Sequence, residues 1–255
     1  MTNKPIVLDL YGRKGGAAKG YQRAGFYVIS VDIEDHSADN PADEFVLADV
    51  LDYLSDIPIG PSVHDLGERP VLVHTSPPCQ GQNTATASNR ARGIVDDHPS
   101  LVAPTRALLD KLGLPYVIEQ PTSSVKGTIR KDVTLCMDMF KGDMPPPWVQ
   151  KHRSFELSGF TVDQPAHPEG SVRGGGMSGF PKPAGHAGRV RGWRHGEVFD
   201  GPYVAAYGKG GGKATVAEMQ HAQQMPWVDD HFSLCEAIPP AYTEYIGQEF
   251  LKLLR

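Results

Sequence analysis

The first half of the chain repeats one pattern that leaves few folds open. Short apolar runs alternate with helix-like stretches, and the runs close on acids or on a cysteine. Pro5 to Leu10 reads as a buried strand entering a glycine-bearing turn. Ala17 to Ala24 reads as a helix stopped by Gly25. Tyr27 to Asp32 and Phe45 to Asp49 are the second and third runs, both ending on acid. Val71 to Thr75 is the fourth and leads into Ser76-Pro77-Pro78-Cys79. A helix is expected from Pro99 to Leu112, with Leu101, Leu108, Leu109 and Leu112 on one stripe; Tyr116 to Ile118 is then a strand that delivers Glu119. Strands alternating with helices predict a mainly parallel sheet covered on both faces. Ligands of such sheets bind beyond the carboxyl ends of the strands. Asp9, Asp32, Asp49, Cys79 and Glu119 all fall at or near those ends.

A chain of 255 residues, 40% of them hydrophobic, is long enough for one α/β domain with a substantial core and one insertion. The formal net charge of -5 means that a nucleic-acid partner would have to meet locally clustered cations. Cys79, Cys136 and Cys235 form a sparse, odd set, which points to a reducing compartment rather than a disulfide framework. None lies in a CxxC pair, and no Cys/His spacing resembles a zinc site, so no metal is expected. No signal peptide and no apolar run of membrane-spanning length stand out, and a cytoplasmic protein is expected.

Between about Ser158 and Lys213 the periodicity fades and Gly and Pro crowd in. Arg173, Lys182, Arg189, Arg191, Arg194, Lys209 and Lys213 concentrate there around Trp193. A solvated linker is one reading. A small DNA-contacting insert, with cations on phosphates and loops in a groove, is the other and the one preferred, because helical order resumes afterwards. Thr215 to Gln224 and Pro239 to Leu254 read as helices, the second with Tyr242, Tyr245, Ile246, Phe250 and Leu253 on one face. The expected organisation is a catalytic domain over 1–157, an irregular recognition insert over 158–213, and a C-terminal segment over 214–255 that returns to the catalytic domain.

Leu8-Asp9-Leu10-Tyr11-Gly12-Arg13-Lys14-Gly15-Gly16 is a strand, a turn and a helix start, a form that lets backbone approach a nucleotide-like cofactor. Asp32 suits a pair of ribose hydroxyls and Asp49 an adenine amino group. The complete pyrophosphate-binding GxGxxG is absent, which favours S-adenosylmethionine over a dinucleotide. Taken singly, each acid is more often a helix N-cap or a solvated loop residue. In Ser76-Pro77-Pro78-Cys79-Gln80, two prolines stiffen the turn and expose the cysteine, whose thiolate can add to carbon 6 of a pyrimidine.

This ordered set resembles the DNA cytosine-5 methyltransferase family, most closely its compact bacteriophage-type members. The opening segment resembles the family's Asp-Leu-Phe-small-Gly-x-Gly-Gly motif, and Pro77-Pro78-Cys79-Gln80 matches its nucleophile motif. Ile118-Glu119 resembles the start of Glu-Asn-Val, and Gln150-Lys151-His152-Arg153 resembles Gln-x-Arg-x-Arg. Ala214-Thr215-Val216-Ala217-Glu218 with Gln224-Met225-Pro226, and then Ala237-Ile238-Pro239-Pro240, resemble the last two motifs. The resemblance implies a Rossmann-like class I methyltransferase fold acting on cytosine in double-stranded DNA, and a monomer. It implies Cys79 as nucleophile, Glu119 at ring nitrogen 3, Arg153 at the cytosine carbonyl, and Lys151 as a phosphate contact. It implies a cofactor site of Asp9, Tyr11, Gly12, Arg13, Gly15, Gly16, Asp32, Ile33, Asp49, Pro77, Glu236 and Ala237. Gln80, Arg173, Arg189, Arg191 and Arg194 would meet DNA.

Three positions depart from the family. Arg13 replaces a loop glycine, Gln120-Pro121 replaces Asn-Val, and Glu236 replaces an asparagine. Arg13 is expected at an ordinary negative φ, pointing to solvent or a DNA phosphate. The sharper alternative pairs Arg13 or Lys14 with a cofactor carboxylate, including that of a carboxylated analogue that would transfer carboxymethyl. An RNA cytosine methyltransferase and a catalytically silent cofactor- and DNA-binding protein also remain open.

Overall fold

In a computed structural model, the chain is described over residues 4–57, 70–78, 100–122, 127–167, 192–194, 197–199, 201–206 and 214–254. Five strands run parallel: β1 (Ile6–Leu10), β2 (Tyr27–Asp32), β3 (Glu44–Leu47), β4 (Leu72–Thr75) and β5 (Tyr116–Pro121). They are followed by β6 (Val133–Leu135), β7 (Trp148–Val149) and β8 (Arg153–Ser158). The seven-stranded sheet has the order β3-β2-β1-β4-β5-β8-β6, with β8 antiparallel to both of its neighbours. The mainly parallel α/β sheet expected from the alternating pattern is present.

Both faces of the sheet are covered, as the run of apolar residues in β1 requires. Ile6, Leu8 and Leu10 point into one core layer with Ile29, Val31, Val50, Leu54 and Leu109. That layer lies under α2 (Val50–Asp56) and α3 (Val102–Leu112). Val7, from the opposite side of the pleat, joins Ala17, Ala18, Tyr21, Tyr242 and Ile246 in the other layer. That layer lies under α1 (Gly16–Ala24) and, after α4 (Val216–Gln223) and α5 (His231–Glu236), the last helix α6 (Pro240–Leu251). The two outer helices touch closely because Gly20 has no side chain. A Cβ there would sit 2.0 Å from Thr243 Oγ1 and 2.1 Å from the Pro240 carbonyl. Thr243 donates to the Ala17 carbonyl at 2.8 Å, which fixes the register of the pair. The C-terminal segment thus returns to the first helix.

Several expectations need correction. Phe45 to Asp49 does not end as a strand: β3 stops at Leu47, and Asp49 caps α2 by accepting from Leu51 and Asp52 N–H. α3 begins at Val102, with Leu101 as its N-cap, rather than at Pro99, which lies outside the described residues. Leu253 is 61% exposed and lies beyond the end of α6. The segment read as irregular contains regular structure. β9 (Gly192–Arg194) pairs antiparallel with β10 (Glu197–Phe199), and β11 (Tyr203–Val204) pairs parallel with β7. Val204, Ala206 and Ala214 lie in the core under α1 and α6, so the chain has rejoined the main body before residue 213.

Candidate functional site

The loop after β1 is built on left-handed backbone. Tyr11 has φ 60, Arg13 φ 43 and Gly15 φ 67. Such values strain a non-glycine residue by about 1–3 kcal/mol and persist only where the surroundings enforce them. Here Gly12 N–H donates to the Val31 carbonyl at 3.2 Å and Arg13 N–H to Asp32 Oδ2 at 3.0 Å, while Asn40 Nδ2 donates to the Arg13 carbonyl at 2.8 Å. A Cβ on Gly12 would lie 1.9 Å from Ser30 Oγ, and one on Gly16 2.1 Å from the Ile238 carbonyl. Both glycines are therefore demanded by the protein's own packing around the loop.

Arg13 is not at a negative φ directed to solvent or phosphate. Its Nη1 forms an ion pair with Glu236 Oε2, and its guanidinium lies 5.9 Å from the Phe232 ring centroid. The partner offered to Arg13 is thus a carboxylate of this chain. Lys14 likewise pairs with Asp39, at 2.6 Å. Glu236 is the last residue of α5 and Ala237 its C-cap, so the ion pair ties the first loop to the end of that helix.

Asp32 is buried at the end of β2, and both of its oxygens accept backbone N–H groups, from Arg13 and from Glu34 at 2.9 Å. The next residue, Ile33, is 66% exposed, an apolar side chain open to solvent beside the loop. Asp49 gives Oδ1 to its capping role. Tyr11 is half-buried and bonds Thr105 Oγ1 at 2.9 Å. Asp9 is 1% exposed, and its Oδ2 has no hydrogen-bond partner among the described residues. Burial, and then the neighbouring charge of Asp32, push its carboxyl up to about 8.

A second group gathers at the ends of β4, β5 and β8. Because β8 runs backwards, its first residue, Arg153, pairs with Pro121, the last residue of β5. The reversed strand therefore starts at the edge where the parallel strands finish. Arg153 Nε lies 2.8 Å from Glu119 Oε1, both side chains being nearly buried. The N–H is not aligned on that oxygen, so the contact is an ion pair without a directed hydrogen bond. Burial raises the Glu119 carboxyl above its ordinary range, against the opposing pull of Arg153, Lys151 and a hydrogen bond from Ser76.

Behind Glu119 runs a buried chain of polar groups. Tyr21 OH meets His74 Nδ1 at 3.1 Å, His74 Nε2 meets Ser76 Oγ at 3.1 Å, and Ser76 bonds Glu119. Burial lowers His74 to about 3, so its ring is neutral near pH 7 and can only pass hydrogen bonding along. Gln120 donates from Nε2 to the Pro77 carbonyl at 2.6 Å, joining β5 to the turn that precedes Cys79. Sequence reasoning missed His74, and it marked Gln120 only as a departure from the motif that the segment resembles. A histidine inside the apolar run Leu72–Thr75 was the available signal.

Lys151 does not sit where a phosphate could reach it. It is 4% exposed and donates to Gln223 Oε1 and the Leu234 carbonyl, each at 2.7 Å. Burial first, and then Arg153, hold its amine well below the ordinary lysine range. Cys79 and Gln80, and Arg173, Arg189 and Arg191, lie outside the described residues; of Arg194 only the strand β9 that carries it is described.

A solved structure shares this fold. It is that of a protein provisionally described as a DNA modification methyltransferase encoded within an E. coli prophage, with a TM-score of 0.54 and 13% identity, covering 98% of this chain and 99% of that one. At such identity the likeness is one of architecture, a Rossmann-like, mainly parallel α/β sheet. No family model and no curated protein matches the sequence. Among the described residues, no helix is long and apolar enough to cross a membrane.

Proposed function

We propose that this chain is an S-adenosylmethionine-dependent DNA (cytosine-5-)-methyltransferase with Cys79 as its nucleophile. The observation that carries the reading is the meeting of Glu119, Arg153 and the Pro77-Pro78 turn at one edge of the sheet, fastened by the Gln120–Pro77 bond. A pyrimidine offered there would meet a buried carboxyl able to hold a proton, a guanidinium, and the turn that delivers Cys79. The described prophage neighbour with the same fold supports a DNA substrate.

The chemistry of the first loop fits the cofactor. Asp32 closes β2, Ile33 offers an exposed apolar face next to it, and Asp9 keeps an orphaned buried oxygen beneath the loop. Asp32 would hold ribose hydroxyls, Ile33 and Tyr11 would flank the adenine, and Asp49 would accept its amino group. When bound, S-adenosylmethionine supplies an electrophilic methyl group. Cys79 adds its thiolate to carbon 6 of the cytosine. Glu119 holds the proton at ring nitrogen 3, which makes the ring accept the thiolate and leaves carbon 5 nucleophilic. Arg153 holds the carbonyl oxygen. Once carbon 5 carries the methyl group, loss of its proton to solvent breaks the carbon 6–sulfur bond, releases Cys79 as thiolate and restores the ring. The reacting atoms lie inside a duplex, so the base is flipped out, with Gln80, Arg173, Arg189, Arg191 and Arg194 proposed to meet the DNA.

Duplex DNA with 5-fluorocytosine at the target tests this. Carbon 5 then has no proton to lose, elimination stalls, and a covalent adduct accumulates. The adduct is expected with the wild-type protein and cofactor and absent with Cys79→Ala. An adduct that survives that substitution overturns the assignment. Nucleoside mass spectrometry of DNA and RNA from expressing cells separates DNA from RNA methylation, and methyl from carboxymethyl transfer.

A further inference from the structure

The sequence spacing of cysteine and histidine gave no sign of a metal site, yet the fold gathers three candidate ligands beside the start of β8, where Leu135 pairs with Arg153. Cys136 follows β6, His152 immediately precedes β8, and His167 comes nine residues after the last residue of β8. One ligand atom from each, the thiol sulfur and an imidazole nitrogen from either ring, lies within 4.8 Å of the others. The two imidazoles are side by side, 5.8 Å between centroids and 9° from parallel. Tetrahedral zinc, with bonds near 2.0–2.3 Å, asks for ligand atoms about 3.5 Å apart. Side-chain rotations of roughly an ångström close that difference.

The surroundings of Cys136 suit a thiolate. Its side chain is fully buried, and two backbone N–H groups, of Asp138 and of Lys151, point at the sulfur. Donors aimed at sulfur favour its charged form and tune it as a ligand. Without a cation the burial dominates and pushes the thiol up to about 12. A bound dication reverses that balance and deprotonates the thiol outright. The donor set of one sulfur and two nitrogens matches borderline metals and excludes magnesium and calcium.

We propose that Cys136, His152 and His167 form a zinc site that fastens the start of the segment after β8 to the strand bearing Arg153. On binding, the Cys136 thiol releases one proton to solvent and both imidazoles donate neutral lone pairs; no redox change occurs, and water completes the fourth position. His152 is the neighbour of Arg153 in sequence. The metal would therefore steady the root of the guanidinium from outside the site. The zinc assignment stands independently of the catalytic reading.

The test uses tag-free, full-length protein stripped with a chelator and then given Zn²⁺ or Co²⁺ alone. Stoichiometric zinc after desalting, and a thiolate-to-cobalt charge-transfer band, are the expected results. Cys136→Ser should abolish the band. His167→Ala, at a partly exposed side chain, should keep the wild-type circular dichroism and weaken zinc more than about a hundredfold, since even partners outside the ligand set are worth 10–100-fold. A cobalt band that persists in Cys136→Ser would assign the metal to Cys79 or Cys235 and overturn the proposal. So would wild-type protein that binds neither ion, or unchanged zinc affinity in His167→Ala.

Discussion

Gln120 donates a 2.6 Å hydrogen bond to the Pro77 carbonyl, across 43 residues of chain. The residue beside Glu119 thereby holds the turn that leads to Cys79. This gives a physical sense to Gln120-Pro121, which stands where the motif that the segment resembles has Asn-Val. The longer glutamine side chain reaches the proline turn, and Pro121 ends the strand without needing a ladder N–H.

If that bond positions the nucleophile, Gln120→Leu should slow 5-fluorocytosine adduct formation by at least about tenfold, as expected for loss of aligned reacting groups. Adduct formation at the wild-type rate in the variant would remove Gln120 from the positioning role.

Arg13 already has a carboxylate partner in Glu236, with their side chains 39% and 30% exposed. A partly exposed pair of this kind couples by about 0.5–1 kcal/mol. A double-mutant cycle of Arg13→Gly and Glu236→Gln should report that coupling in thermal unfolding. Arg13→Gly by itself relieves the strain at φ 43 and so offsets part of the loss. S-adenosylmethionine affinity should remain within about twofold in Arg13→Gly; a tenfold loss would show instead that the guanidinium serves a cofactor carboxylate.

Asp9 has a folded pKa near 8 against an ordinary value of 3.8. Its folded form holds a proton that the unfolded chain has released across that window. Stability from this group is therefore fully present below about 3.8 and is lost as pH rises toward 8. Asp9→Asn, which cannot ionise, should be more stable than wild type at pH 8 by a margin that shrinks toward pH 5. Melting temperatures of both proteins across that range check the slope, and parallel curves would refute it.

Lys151 donates to Gln223 and Leu234 inside the protein. Lys151→Met should therefore leave the salt dependence of DNA binding unchanged. A phosphate contact would instead reduce the slope of log affinity against log salt by about 1. Filter binding over a salt series distinguishes the two.

The strands and helices of the first half were legible in sequence because each is a local event. A strand buried on both faces must be an apolar run, and Gly25 can close a helix at φ 111 where other residues resist. The helix read over Thr215 to Gln224 is present as α4, and a capping box of Thr215 and Glu218 fixes its start. The positions of Asp9, Asp32 and Glu119 at or near the ends of their strands were legible for the same local reason. What each side chain does depended on partners far away in sequence. Arg13 meets Glu236, Lys151 meets Leu234, and Gln120 meets Pro77. The reversal of β8, which brings Arg153 to Glu119, is a long-range pairing with no local signature. Cys136, His152 and His167 form a cluster only because three loops end at the same place, and no spacing rule encodes that. Local propensity determined the elements; burial and long-range pairing decided which charges are neutralised, which polar atoms are orphaned, and hence where the chemistry can occur.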